Sequence, residues 1–127
     1  MPKVSRETAQ PNNLGPAVDR SADLEGGYTA QFVTFVVDSD GTEMMKGLPN
    51  DQCQCPHWGY VFQGELTFRT DSGDEVYRPG DAFYIGAGHT PIVAAGTEYL
   101  QFSPSQELHL VSEHLMAKVR QMQAQDA

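Results

Sequence analysis

Four residues of metal-binding type fall within one seven-residue segment, which reads Asp51-Gln-Cys53-Gln-Cys55-Pro-His57. In an extended chain alternate side chains point to the same side, so these four would share one side. Thiolate and imidazole are ligands that Zn²⁺ prefers, and iron and copper also accept them. The segment predicts a divalent-metal site with Cys53, Cys55 and His57 as ligands and Asp51 as the less favoured one. The alternative is two small buried thiols beside a hydrogen-bonded core histidine.

A second candidate ligand is His89, in the segment Gly86-Ala-Gly-His89-Thr-Pro91. It lies in a glycine-rich turn between two predicted strands, where a side chain can reach inward from the edge of a sheet. The alternative is a turn histidine with no role. His109 and His114 fall on the predicted C-terminal helix, about 140° apart around its axis, and are predicted to be surface or interface residues.

Short segments rich in aromatic and β-branched residues position these candidates. Turns rich in Gly, Pro and Asp separate the segments, a pattern typical of an all-β sandwich or barrel. The predicted strands cover residues 28–37, 58–62, 65–70, 75–77, 82–85, 92–95 and 98–102.

One helix is predicted after the last strand. Ser103 is suited to cap it, and Pro104 is suited to its first position. An apolar stripe follows at helical spacing and should pack against the barrel or a second subunit. The stripe consists of Leu108, Val111, Leu115, Val119 and Met122. The predicted organisation is an N-terminal arm (1–27), a barrel (28–104) and a C-terminal helix (105–123).

Composition excludes several classes of function. The 8 Lys and Arg against 17 Asp and Glu give a net charge of -9, which repels phosphate backbones and anionic lipids. Nucleic acid and membranes are therefore not expected partners. No apolar run suits a signal peptide or a span of roughly 20 residues, so a cytoplasmic protein is expected. Two cysteines also exclude a disulfide-rich scaffold.

Two stretches resemble the cupins, which are small jelly-roll β-barrels. They read His57-Trp-Gly-Tyr-Val-Phe-Gln-Gly64-Glu-Leu-Thr-Phe68 and Pro79-Gly-Asp81-Ala-Phe-Tyr-Ile-Gly-Ala-Gly-His89. The resemblance covers about residues 43–103. It implies a cupin barrel, a metal inside it and pairing into a homodimer.

The ligand pattern departs from that of most cupins. Counted back from Gly64, the usual glutamate position holds His57, and the two histidine positions hold Asp51 and Cys53. The usual histidine position of the second motif holds Pro91, two residues after His89. The chain is similar to a cupin subgroup that reads Cys-x-x-x-His-x-Gly-Tyr-Val and, later, Gly-His. That resemblance implies Cys53, His57 and His89 as the site, but no reaction.

Two functions follow as hypotheses. The first is a metal-dependent enzyme, such as a dioxygenase, isomerase or cyclase, acting on a small organic molecule with Zn²⁺, iron or copper. The second is a non-catalytic small-molecule-binding or sensing cupin with a structural metal or none. Tyr60 and Gln63 are weighed as donors in the pocket, although ordinary strand packing is the favoured interpretation of both.

Overall fold

A computed structural model describes residues 3–126 of the chain. It contains ten strands and two α-helices within those residues. The strands are β1 (Gln10–Asn13), β2 (Ala17–Leu24), β3 (Tyr28–Phe35), β4 (Ser39–Asp40), β5 (His57–Gln63), β6 (Leu66–Thr70), β7 (Gly73–Tyr77), β8 (Ala82–Ile85), β9 (Thr90–Val93) and β10 (Glu98–Pro104). The helices are α1 (Thr42–Met45) and α2 (Ser105–Asp126), and a short 3₁₀ turn spans Pro49–Asp51.

The strands form two antiparallel sheets that enclose the core. One has the order β1-β2-β3-β10-β5-β8, and the other has the order β4-β9-β6-β7. In β6 the apolar Leu66 and Phe68 are buried and Arg69 is exposed, so the predicted alternation is confirmed. The side chains of both inner faces, including Phe35, Val61 and Phe83, make one apolar cluster. The prediction of an all-β jelly roll with a C-terminal helix is confirmed.

The N-terminal segment differs from the predicted arm. Ala17–Leu24 pairs with β3 along its whole length, and Gln10–Asn13 pairs with β2 at the edge of the sheet. The sequence gives little sign of these strands, because the most buried positions of β2 are the small Ala17 and the polar Asp19. Pairing with β3, rather than an apolar alternation, orders this segment.

The C-terminal helix packs against the barrel through the first part of its predicted stripe. Leu108 and Val111 are buried against Met45 and both cysteines, whereas Met122 is 51% exposed. His114 Nε2 lies 3.0 Å from the carbonyl oxygen of Met44, which links the helix to α1. His109 is exposed and lies 3.5 Å from a carboxylate oxygen of Asp23.

Neither helix within residues 3–126 has both the length and the apolar character that crossing a membrane requires.

Candidate metal-binding site

Three side chains converge inside the barrel: Cys53 and His57, which are four residues apart in the chain, and the distant His89. One ligand atom from each lies within 4.8 Å of the other two, and all three side chains are buried. His57 is the first residue of β5, while Cys53 and His89 belong to the loops before β5 and β9. The two loops are joined by a bridge in which the N–H of Cys53 donates to the carbonyl of His89 at 2.8 Å. The bridge fixes two of the three candidate ligands relative to each other.

Hydrogen bonds to the Nδ1 atoms orient the two imidazole rings. His89 Nδ1 donates to the carbonyl oxygen of Gly86 at 2.8 Å, because a carbonyl can only accept. This bond places the proton on Nδ1 and leaves the lone pair on Nε2. His57 Nδ1 lies 2.6 Å from the hydroxyl oxygen of Ser103, and its Nε2 lies 3.8 Å from Cys53 Sγ. Metal-binding histidines commonly have such a partner on the other ring nitrogen.

The turn before His89 depends on glycine. Gly88 has φ +93°, a left-handed conformation that residues with a Cβ rarely adopt. The turn sends the chain back toward the barrel, and the ring of His89 contacts Phe68 edge-on, with their centroids 4.7 Å apart. Only 1% of His89 remains exposed.

Burial sets the protonation of the three candidate ligands. Burial, and secondarily the neighbouring His89, lower the pKa of His57 to about 3. Burial also lowers the pKa of His89, although its hydrogen bond with Gly86 opposes that change. Burial raises the pKa of Cys53 to about 11. At neutral pH both rings are therefore neutral, the form that binds a metal, and the thiol must lose its proton to do so.

The donor set fits a divalent transition metal. Tetrahedral Zn²⁺ bound by nitrogen and sulfur has neighbouring ligand atoms roughly 3.3–3.6 Å apart, as follows from its bond lengths. The sulfur and Nε2 of the Cys53–His57 pair are 3.8 Å apart, and the whole set lies within 4.8 Å. Movements of about 1 Å or less would bring the three atoms to that spacing. One thiolate and two imidazoles suit zinc, and they also suit copper and iron.

The three residues line a cavity of ≈ 130 Å³. Phe68, Val33, Met45 and Leu108 supply apolar parts of its wall. A wider groove of ≈ 440 Å³ lies beside the cavity, and Leu14, Asp19 and Ser112 line both. The candidate ligands therefore face a small, mostly apolar space with an open groove next to it.

Asp51 lies away from this group, contrary to the prediction that it shares a side with Cys53. Asn50 and Asp51 have φ values of 55° and 54°, so the chain is not extended there and the alternation fails. Asp51 is exposed, and its carboxylate accepts a hydrogen bond from the backbone N–H of Gly47 at 3.0 Å.

Cys55 is buried but does not belong to the group of converging ligand atoms. Its thiol donates to the carbonyl of Pro56 at 3.5 Å, and its side chain packs with Met45, Leu108 and Val111. Burial, and secondarily the charge of Cys53, raise its pKa to about 12. The predicted group of ligands therefore lacks Cys55 in this structure.

Tyr60 and Gln63 lie outside the cavity. Tyr60 is 41% exposed on the outer face of β5, as expected from its position one residue before the buried Val61. The side chain of Gln63 donates to the carbonyl of Gly96 at 3.0 Å. A register shift at Glu98 in the pairing of β5 with β10 ends the regular alternation before Gln63.

Sequence reasoning missed polar residues of the cavity wall, among them Asp19, Gln31, Tyr99 and Gln101. Gln31 and Gln101 occupy inward positions of strands whose neighbouring inward residues are Val33 and Tyr99. A glutamine at such a position is a signal that the sequence does contain. Asp19 has no comparable signal, because it lies in the segment that was predicted to be an arm.

Comparison with solved structures supports the fold. The chain is similar to an RmlC-like cupin from Shewanella frigidimarina, with 16% identity, 82% of this chain and 95% of that chain covered, and a TM-score of 0.56. It is also similar to the polyketide cyclase RemF from Streptomyces resistomycificus, with 17% identity, 83% and 80% covered, and a TM-score of 0.59. A protein of unknown function from Rhizobium leguminosarum shares 20% identity over 81% and 94% of the two chains, with a TM-score of 0.60.

No protein-family model matches the sequence, and no curated protein matches it. The structural neighbours nevertheless include several cupins, so the chain has the cupin fold. Structural similarity at these levels of sequence identity shows the fold alone, and one fold supports many reactions. The function has to be argued from the site.

Proposed function

We propose that the chain is a metal-dependent enzyme that acts on a small organic molecule in the barrel, with Cys53, His57 and His89 as the metal ligands. One observation supports the proposal: three buried ligand atoms, from Cys53 and His57 in one segment and from His89 in another, lie within 4.8 Å of one another on the wall of a cavity. A group of buried titratable side chains with perturbed pKa values on a cavity wall is a functional-site candidate. We expect Zn²⁺, with iron or copper as the alternatives.

The number of ligands favours catalysis over a structural role. A structural zinc site is closed by four protein ligands, whereas a catalytic one has three and an open position. Cys55 was the expected fourth ligand, and its thiol instead contacts the carbonyl of Pro56. A divalent metal held by the other three would polarise an oxygen atom of the bound molecule.

Apolar side chains surround the candidate ligands. Phe68 contacts both imidazole rings, with centroid distances of 6.2 Å to His57 and 4.7 Å to His89. Met45 and Leu108 close the wall on the side of the two helices. These side chains bury the candidate ligands, and electrostatic interactions with a bound molecule are stronger in a buried site than in water.

Metal analysis of protein purified without chelator tests the proposal. We expect about one divalent metal per chain, and the His89→Gln variant should lose most of it. His109→Gln is the matched control, because His109 is exposed on α2 and should not affect metal content. Thiol titration of the denatured protein establishes that both cysteines were reduced.

Metal-free wild-type protein with two reduced thiols would overturn the proposal. The non-catalytic alternative, a binding or sensing cupin, would then be favoured by the apolar cavity alone. A metal content equal in the His89→Gln and wild-type proteins would place the metal elsewhere.

We also propose that two copies pair through an exposed aromatic face of the six-stranded sheet. Trp58 and Tyr84 lie on its outer side with ring centroids 5.2 Å apart, and Tyr60 and Phe62 lie 5.4 Å apart. Each of the four is at least 41% exposed, an arrangement typical of an interaction surface.

Light scattering should give twice the chain mass of 14.0 kDa, and the Tyr84→Glu substitution should lower the measured mass. A wild-type mass of 14.0 kDa would contradict the dimer.

A further inference from the structure

Three polar side chains form a hydrogen-bonded row across β2, β3 and β10 on the cavity wall. Gln31 Nε2 donates to Asp19 Oδ2 at 2.9 Å, and Gln101 Nε2 donates to Gln31 Oε1 at 2.8 Å. Each of the three side chains belongs to a residue that is 6% exposed. All three line the same cavity as Cys53 and His57.

The row lies close to the candidate metal ligands in the strand order and lines the same cavity. Gln101 lies two residues before Ser103 on β10, and Ser103 is the partner of the His57 ring. The strand pairing gives the same placement, because Gln101 is opposite Gly59, two residues after His57 on β5. A molecule in the cavity can therefore meet the row and the candidate ligands together.

The carboxylate of Asp19 fixes the direction of the row. An ionised carboxylate only accepts, so the Gln31 amide must turn its nitrogen toward Asp19. The Gln31 oxygen then faces Gln101 and receives its amide N–H. The arrangement leaves two acceptors, Asp19 Oδ1 and Gln101 Oε1.

These two buried oxygens have no hydrogen-bond partner among the residues that the structure describes. Most buried polar atoms in proteins have a partner, and an unsatisfied one is costly. Burial raises the pKa of Asp19, although the hydrogen bond from Gln31 lowers it. A donor from a bound molecule would satisfy these oxygens and offset part of the cost of burying them.

We propose that Asp19 and Gln101 determine which molecules bind, by accepting hydrogen bonds from a hydroxyl or amino group of the ligand. The inference rests on the proposed function, in which a second polar group of the same molecule binds the metal. Val33 and Phe68 contact its carbon skeleton. Its size follows from the cavity of ≈ 130 Å³, which is close to the engineered cavity of about 150 Å³ that binds benzene. The ligand class is a small hydroxylated or aminated molecule with about six to eight non-hydrogen atoms.

Three probes of equal size test this recognition: phenol, aniline and toluene. Their affinities are measured by calorimetry or ligand-observed NMR on the full chain, as purified and after removal of metal by a chelator. Phenol and aniline should bind about five- to tenfold more tightly than toluene, the range expected for one net hydrogen bond. The preference should persist in metal-free protein, because it comes from Asp19 and Gln101.

Two variants test whether Gln101 and Asp19 produce the preference for phenol and aniline over toluene. Gln101→Met keeps the length of the side chain and removes its acceptor, so the preference for phenol and aniline should fall at least threefold. The control Gln63→Met makes the same change outside the cavity and should leave it intact. Asp19→Asn should turn an amide N–H toward the cavity in place of an acceptor. The affinity for aniline should then fall, whereas the affinity for phenol should be retained, because the phenol oxygen can accept a hydrogen bond from that N–H.

Equal affinity for the three probes, or no measurable binding of any of them, would overturn the inference. An unchanged preference in both the Gln101→Met and Asp19→Asn variants would also overturn it. A protein that lacks metal but keeps the preference would contradict the proposed function and still support this recognition.

Discussion

The imidazole of His57 and the hydroxyl of Ser103 lie 2.6 Å apart on neighbouring strands, and both side chains are buried. This contact occupies Nδ1 and leaves Nε2 directed toward Cys53 Sγ, 3.8 Å away. A hydroxyl at this position therefore orients a candidate ligand without belonging to the ligand set. Its removal should affect metal binding more than folding.

Ser103→Ala should weaken zinc binding by about 10–100-fold, the usual range for loss of a hydrogen bond to a ligand. Competition with a chromophoric chelator measures the affinity. Ser112→Ala, which changes a serine elsewhere on the cavity wall, is the control. Equal zinc affinity in the Ser103→Ala and wild-type proteins would show that the ring needs no such support.

Acid should destabilise the metal-free protein. The folded state keeps His57 neutral down to a pKa of about 3, whereas the unfolded chain has the ordinary value near 6.5. The unfolded state therefore binds more protons below pH 6.5. The free energy of unfolding should fall by up to about 1.4 kcal/mol per pH unit for each such histidine as the pH drops. His89 acts in the same direction, whereas Asp19, with its raised pKa, opposes it above pH 4.

Urea denaturation at several pH values between 7.5 and 5 measures this slope. His57→Gln should reduce the slope. A slope that is the same in His57→Gln and wild-type protein would contradict the neutral buried histidine.

Leu108→Ala should destabilise the chain by about 2–4 kcal/mol, because Leu108 is 6% exposed and packs where α2 meets the loop of the cysteines. Leu110→Ala is the matched control, since Leu110 is 65% exposed on the same helix and should change stability by less than about 0.5 kcal/mol. Chemical denaturation gives both values. Similar losses in the two variants would contradict the observed face of the helix.

Gly59→Ala should destabilise the barrel beside the candidate site. A Cβ at Gly59 would overlap the carbonyl oxygen of Leu100 and the ring of Phe83. Overpacking of this kind costs roughly 1–3 kcal/mol, and here one neighbour is backbone. Gly86→Ala is the control, because the nearest atom there is 3.5 Å away. Thermal unfolding of the two variants compares them, and an undiminished Tm for Gly59→Ala would contradict the close packing.

The barrel could be predicted from the sequence because apolar residues that face inward alternate with polar ones, as at Leu66 and Phe68 in β6. Strand β2 could not be predicted in this way, because its inward residues are Ala17 and Asp19. Pairing with β3 orders it instead. Local patterns cannot show a strand that is stabilised mainly by distant hydrogen bonds.

For the site, residue type and spacing indicated Cys53, His57 and His89, and the fold brings these three together. The same reasoning grouped them with Asp51 and Cys55 on the condition of an extended chain from Asp51 to His57, and the positive φ of Asp51 breaks that condition at its first residue. The row of Asp19, Gln31 and Gln101 comes from three strands that are distant in sequence. Such a row depends on strand register, which a single sequence does not reveal.

Absorption spectra of the Co²⁺-loaded protein test the central claim, that Cys53 binds a metal together with His57 and His89. A thiolate bound to Co²⁺ gives a charge-transfer band, which we expect in the wild-type protein and in Cys55→Ser, whose sulfur contacts Pro56 instead. The band should be absent in Cys53→Ser. A band that persists in Cys53→Ser, or no band in the Co²⁺-treated wild-type protein, would contradict the proposed site.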